Sequence, residues 1–270
     1  MKADERPGIP AILSALCGFL LLSFVFVYAA IRIAMLGQTG EAMPAWYAMN
    51  VRTMTEPADS TPAPSVPPLV ILDPGHGGED GGAVSASGVT EKTLNLSLSL
   101  CLYDMFRSAG IPVLLTRTTD TGLYEGAQAG HRKMADLRNR LLLEKQYPDA
   151  VFLSVHMNSF SAERYHGMQV FYSRNDPSGE VLADRIRTFN RTYLQPENDR
   201  EIKAADTSIY LLDNAVGTAV LAECGFLSNP AEAERLTKPE YREKLAAVLC
   251  ASVLSYLSEA DAKNQTGSIP

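Results

Sequence analysis

The stretch Leu69-Val70-Ile71-Leu72-Asp73-Pro74-Gly75-His76-Gly77-Gly78 decides how the chain is read. Leu69 to Leu72 is a short apolar run that Asp73, Pro74 and Gly75 cut off, as expected of a buried strand delivering a functional loop at its end. Ile111 to Thr116 reads as a second strand, and Glu91 to Arg107 lies between the two. That middle segment holds a conflict, because Leu94, Leu96, Leu98, Leu100 and Leu102 alternate with a strand's period of two. Leucine is a good helix former, the run is too long for an ordinary strand, Thr90 can cap its start and Gly110 can end it, so a helix is expected. Strand, helix and parallel strand then make one βαβ unit.

The same alternation continues outward. Arg132 to Gln146 predicts a polar-faced helix and Ala150 to Ser154 a strand, followed by strand candidates at Gly167 to Tyr172, Ser208 to Leu212 and Ala219 to Ala222. Gly179 to Tyr193 is expected to be helical. The last helix, with Pro239 near its first turn, carries the stripe Leu245, Val248, Leu249, Ser252, Val253, Tyr256 and Leu257. About six strands and five helices predict an α/β fold, a three-layer sandwich whose mostly parallel sheet has helices on both faces. From Ser258 the chain turns polar, and residues 259–270 are expected to be a frayed tail.

Upstream the character differs. No charged residue stands between Pro7 and Ile31, and 21 positions from Ala11 to Ile31 are dominated by Ala, Leu, Phe, Val and Ile. A bilayer takes roughly 20 such residues as helix, more than the apolar core of a cleaved signal peptide, so residues 1–36 read as a transmembrane signal anchor. Residues 37–68 hold six of the 16 prolines and read as an extended linker, with Trp46 and Tyr47 placed to sit at the membrane interface. The domain that follows, 69–258, is thereby expected outside the cytoplasm, tethered to the membrane, or secreted if the apolar segment is cleaved.

Across all 270 residues, 46% are hydrophobic and 20% charged, which excludes a chain disordered throughout. The four cysteines, Cys17, Cys101, Cys224 and Cys250, form no C-x-x-C pair, so neither a zinc ribbon nor a disulfide scaffold is indicated. A net charge of -7 argues against nucleic acid as a partner, since phosphate binding needs clustered positive charge.

Four segments carry candidate chemistry where strands meet loops. In the first, Gly75 to Gly88 contains six of the 19 glycines but no G-x-x-x-x-G-K-[ST], and Glu79 and Asp80 would repel a phosphate. The glycines instead let the backbone bend so that His76 points into an exposed site. The second is Thr90-Glu91-Lys92, where a first-turn acid alone is what any helix start favours. The third is Ser154-Val155-His156-Met157-Asn158-Ser159. In the fourth, Glu223 follows the apolar run Ala219 to Ala222, and an acid in line with a buried strand is costly unless paired or coordinating. Two histidines and a carboxylate, here His76, Glu91 and His156, make the donor set of a catalytic zinc, and Glu223 suits a separate proton acceptor. Because the donors come from separate segments, their spacing by itself is weak support.

Those four segments, taken as Leu72 to Gly78, Thr90 to Lys92, Ser154 to Ser159 and Glu223 to Pro230, resemble the signature blocks of the zinc-dependent N-acetylmuramoyl-L-alanine amidases, in the same order. The resemblance spans about Leu69 to Leu257. It implies one Zn2+ ion held by His76, Glu91 and His156, with Glu223 as the catalytic glutamate. The implied activity is hydrolysis of the amide between the muramic acid lactyl group and L-alanine in peptidoglycan. The membrane-proximal start and the runs Arg132 to Arg140 and Ile209 to Leu212 are similar to sporulation amidases, which act on spore cortex so that muramic-δ-lactam can form. The expected partners are peptidoglycan as substrate, the membrane through the N-terminal helix, and an accessory activating protein.

The remaining candidates have simpler readings. His131 and His166 lie in polar loops and read as solvated, while Cys101 and Cys250 read as core. Cys224 as a thiol nucleophile has no partner motif. Arg117 and Asn158 flank the proposed cleft, where loop structure and substrate binding are equally served. A general wall amidase of the same family, a silent peptidoglycan-binding module and a zinc hydrolase of another amide are the alternatives.

Overall fold

The computed structural model describes residues 68–266. The anchor and linker expected at 1–36 and 37–68 lie outside the described residues, save for Pro68. Among the described residues no helix is long and apolar enough to cross a membrane.

Six strands form one mixed sheet: β1 (Val70–Pro74), β2 (Val113–Leu115), β3 (Val151–Asn158), β4 (Gln169–Tyr172), β5 (Lys203–Ala204) and β6 (Ala219–Phe226). Their order across the sheet is β2-β1-β3-β6-β4-β5. The pairs β1 with β2, β1 with β3, β3 with β6 and β4 with β5 run parallel, and β4 runs antiparallel to β6. The helices are α1 (Glu91–Ser108), α2 (Arg132–Gln146), α3 (Pro177–Tyr193), α4 (Tyr210–Asn214), α5 (Pro230–Thr237) and α6 (Pro239–Thr266).

The alternation of side chains along each strand sorts the core onto two faces. Val70 and Leu72, with Val151, Leu153, Val155 and Met157 and with Val220, Ala222 and Cys224, pack on the face covered by α1, α3, α5 and α6. Ile71, Phe152, Ala219 and Leu221 point the other way and meet Leu141 of α2 and Leu211 and Leu212 of α4. The result is the three-layer α/β sandwich. Strands β1, β3 and β6 are buried on both faces, which is why they read as continuous apolar runs.

The leucine zigzag of α1 resolves as helix. Leu94, Leu98, Leu102 and Phe106, four residues apart, are buried, while Leu100 is exposed and Leu96 half-buried. Its leucines at 96 and 100 fall on the flank and outer side, so the period of two is a coincidence of composition. Helix α6 buries the expected stripe, with Leu245, Leu249, Ser252 and Val253 fully enclosed, and packs against both α1 and α3. It continues to Thr266, past Ser258, where polar composition predicts a frayed tail.

Three further expectations are corrected. Ser208 to Leu212 predicts a strand, yet the chain forms the short helix α4, whose Leu211 and Leu212 fill the second face. A four-residue apolar run satisfies either period, and tertiary packing decides it. Helix α5 and the two-residue β5 were not expected at all. The first carries plain signals: Asn229 caps it by accepting the Glu232 amide at 3.0 Å, and Pro230 opens it.

Candidate metal centre

Strand β1 delivers the first group. Asp73 is fully buried and its carboxylate accepts from Thr116 Oγ1 at 2.7 Å, Ser154 Oγ at 2.7 Å and Arg140 Nη1 at 2.6 Å. Burial would raise its pKa, but the Arg140 charge and those hydrogen bonds hold it below the usual carboxylate range. Arg140 also donates to the Pro74 carbonyl at 2.8 Å and the His76 carbonyl at 2.7 Å. Arg117 donates to the carbonyls of Pro74 and Gly75, each at 2.9 Å. Two buried guanidiniums thus grip three successive carbonyls and hold the turn that presents His76.

That turn is conformationally demanding. His76 has φ of 60°, a left-handed conformation that non-glycine residues rarely adopt. Gly75 is required by contact: a Cβ there would stand 2.2 Å from the His156 ring. Gly82 is held by the same crowding, since its Cβ would lie 2.5 Å from Glu91 Oε2.

His76, Glu91 and His156 converge, their ligand atoms all within 4.8 Å of one another. The Glu91 carboxylate stands between the rings, with Oε2 at 3.1 Å from His76 Nε2 and Oε1 at 2.8 Å from His156 Nδ1. It also accepts from the backbone amides of Ala83 at 2.8 Å and Met157 at 3.1 Å. Burial opposes its ionisation, but the hydrogen bonds and charges of the two histidines keep it well below the usual carboxylate range. Asp80 Oδ2 lies 3.0 Å from His76 Nδ1, fixing the ring so that Nε2 faces the cluster. Burial disfavours a charged His76, yet Glu91 and then Asp80 raise its pKa to about 8.

The strand pairing places the fourth residue. His156 and Glu223 are Cα partners on the adjacent central strands β3 and β6. Glu223 is half-buried, and its Oε2 is closed off from solvent with no hydrogen-bond partner. Burial raises its pKa to about 7. An unpartnered carboxylate oxygen beside a histidine and carboxylate cluster suits a group that handles a proton, and the nitrogen and oxygen donors suit a divalent ion such as zinc.

All four candidate residues are therefore brought to one rim of the sheet, at the carboxyl ends of β1, β3 and β6 and the start of α1. Arg117 is not available to substrate, because its guanidinium is spent on backbone carbonyls and it is 4% exposed. His131 and His166 are exposed and stand apart from the cluster, as their loop contexts predict, and Cys224 is fully buried. Sequence reading missed the supports: Arg140, Asp80, and Asn95, which donates to Gly75 O at 3.2 Å and Glu91 Oε1 at 3.3 Å. Asn95 alone had a local signal, lying one turn after Glu91 on an apolar helix face where a buried amide needs partners.

Residues 70–255 match the family model described as N-acetylmuramoyl-L-alanine amidase. The chain is 35% identical over 193 residues to the germination-specific N-acetylmuramoyl-L-alanine amidase of Bacillus subtilis, covering 71% of this chain and 80% of that one. It is 27% identical to the N-acetylmuramoyl-L-alanine amidase LytC of the same organism, of which the match covers 38%, so that relative is much longer. Among solved structures it is similar to the CwlD amidase from Clostridioides difficile in complex with the GerS lipoprotein, with a TM-score of 0.68 and 35% identity over 71% of this chain and 98% of that one.

Proposed function

This chain belongs to the N-acetylmuramoyl-L-alanine amidase family, and from that premise we propose which residues carry the hydrolysis and on which wall it acts. The bond cleaved is the amide between N-acetylmuramic acid and L-alanine. His76, Glu91 and His156 hold one zinc ion, and Glu223 is the general base and acid. A zinc ion bound there supplies Lewis-acid chemistry, polarising the scissile carbonyl and lowering the pKa of water toward 7. Glu223 Oε2 takes the proton as water adds to the carbonyl carbon, and returns it to the departing nitrogen as the carbon–nitrogen bond breaks. The products are a lactyl carboxylate and a free L-alanyl amine. Glu91 is fixed by two backbone amides and Asn95, and His76 by Asp80 and the gripped turn, so the donors need little reorganisation to bind the ion.

The observation that carries this reading is the pairing of His156 with Glu223 across β3 and β6, which sets an unpartnered acid beside the metal-type cluster. Glu223→Gln tests it. The variant is expected to keep its zinc while losing about 10²- to 10⁴-fold in kcat. Near-normal turnover in muropeptide mass spectrometry would remove Glu223 from the mechanism.

The substrate we infer is spore cortex, with muramic-δ-lactam as the downstream mark. It is supported by the similarity to the germination-specific amidase and to CwlD, whose complex with a lipoprotein also favours an accessory activator here. The domain acts outside the cytoplasm, tethered by the N-terminal apolar segment. Cortex from a deletion strain lacking muramic-δ-lactam, restored by the chain but not by Glu223→Gln, is the expected result. Cortex with normal δ-lactam in the deletion strain would assign the enzyme to the vegetative wall.

A further inference from the structure

Beside the metal cluster, on the same rim, lies a second polar cleft of about 330 Å3 lined by Arg164, Tyr165, His166, Asn198, Asp199 and Arg200. Its position follows from the sheet. Gln169 of β4 is the Cα partner of Glu223, and His166 lies three residues before Gln169. Phe226, whose ring the Arg200 guanidinium of the cleft overlies, lies three residues after Glu223 on β6. At about 3.3 Å per residue both routes put the cleft roughly 10 Å from the Glu223 backbone.

The side chains are arranged for an anion. The guanidiniums of Arg164 and Arg200 lie 4.9 and 5.8 Å from the centre of the Tyr165 ring, and that of Arg200 also lies 4.6 Å from the centre of the Phe226 ring. Arg200 Nε donates to the His166 carbonyl at 2.8 Å, and its amide donates to the Oδ1 of buried Asn198 at 3.2 Å. Among the described residues the Arg164 guanidinium spends one hydrogen bond, on the Tyr165 hydroxyl at 3.2 Å. Among the described residues neither guanidinium has a carboxylate within ion-pair distance, although Asp199 lines the same cleft. Two cations held around one ring in a chain of net charge -7, with their remaining N–H donors unspent, make a forked receptor for a carboxylate.

We propose that this cleft is a carboxylate subsite for the peptide arm of the substrate, with Arg164 and Arg200 binding an acidic group on the second or third residue beyond the scissile amide. This rests on the amidase reading, because only that reading says what extends from the cluster. The sugars are neutral and the lactyl carboxyl is consumed in the amide, so the substrate's carboxylates lie on the peptide side. A residue of extended peptide spans about 3.5 Å, so a group two or three residues out reaches the cleft. The subsite makes the enzyme select acidic stem peptides and discriminate against amidated ones.

The test compares muramoyl-tripeptides carrying free carboxylates with the same compounds fully amidated, using the zinc-loaded full-length chain. The native protein is expected to favour the acidic substrate by about tenfold or more in kcat/KM, chiefly through KM. Arg164→Gln abolishes that preference, raising KM for the acidic substrate to that of the amidated one. Arg200→Lys keeps a charge but loses the fork and the stacking, and gives an intermediate preference. Equal turnover of both substrates by the native chain, or full preference in Arg164→Gln, overturns the subsite. Binding of the free acidic tripeptide, followed through the arginine Nε–H resonances, separates the two readings. Shifts at Arg164 and Arg200 uphold the subsite; if the same chain, supplied with zinc and its accessory protein, cleaves no muramoyl-peptide, the catalytic reading fails and the subsite stands. No shift on saturation refutes the subsite in an active enzyme.

Discussion

Arg140→Met isolates the buried ion pair beneath the site. Arg140 is 1% and Asp73 0% exposed, so the substitution leaves a carboxylate enclosed with two hydroxyl donors and no ion-pair partner, with the Arg117 charge still acting on it, and it strips Asp136 of its Arg140 contact as well. Removing one partner of such a pair costs about 3–5 kcal/mol. The His76 carbonyl loses its guanidinium donor and Asp136 its partner, while Pro74 O keeps its bond from Arg117, so the upper part of that range is expected. In urea, at a slope of about 2 kcal/mol per M, the midpoint falls by roughly 2 M. The pH dependence supplies the signature. Asp73 is depressed from its usual 3.8 in the native protein, so its stabilisation is present above that value and is lost as pH falls through the lower folded value. In the variant, burial acts unopposed by Arg140 and raises the carboxyl's pKa, so the variant's penalty is present at neutral pH and is relieved as the group protonates. The gap between the two proteins therefore narrows from about pH 7 to about pH 4. A midpoint loss under about 0.5 M, corresponding to roughly 1 kcal/mol, or a gap that does not change with pH, would refute this account of the pair.

Other perturbations probe the site from different sides. Gly75→Ala forces a methyl group to within 2.2 Å of the His156 ring, so bound zinc and turnover are expected to fall together; stoichiometric zinc by elemental analysis would contradict the contact. Asp80→Asn removes the acid that orients His76 and is expected to weaken zinc about 10- to 100-fold in a competitive chelator titration, with unchanged affinity as the opposing result. Hydrolysis by the native enzyme should fall on the acid side of about 7, because Glu223, raised to about 7 by burial, must be ionised to accept a proton. Persistence of that limb in the residual activity of Glu223→Gln would assign it to another group. Leu98→Ala, at a fully buried position of α1, should cost about 2–5 kcal/mol in the same denaturation assay.

The parts of this protein that are legible in its sequence are those whose signal is local. The strand ending in Asp73-Pro74-Gly75 announces itself by an apolar run and its breakers. Helix α2 falls at Arg132–Gln146 as its pattern predicts. His76 and Glu223 could be singled out because each sits where its chemistry is awkward, one among glycines and the other in line with a buried strand. What sequence reading could not supply is pairing at a distance. Arg140 sits 67 residues from Asp73 on a helix that reads as polar-faced, and nothing local distinguishes it from its exposed neighbour Arg138. Asp80, counted only as a charge that repels phosphate, acquires its role from a turn geometry that no periodicity encodes. The error at Ser208 to Leu212 has the same origin, since β-type composition was overruled by an apolar face needing cover.

The position of β6 in the sheet has a consequence for when this hydrolase comes into being. Although last of the six strands along the chain, it lies between β3 and β4, and it carries Glu223. A chain emerging from its amino terminus can pair β1, β2 and β3, but the edge of β3 stays open until residues 219–226 arrive and insert. Such non-local parallel pairing is intrinsically slow to form. Truncated or half-folded copies hold at most His76, Glu91 and His156 and never Glu223 beside them. If Glu223 carries the proton as proposed, the enzyme is silent until its carboxyl-terminal third has docked, a safeguard for a cell that makes an activity able to strip its own wall.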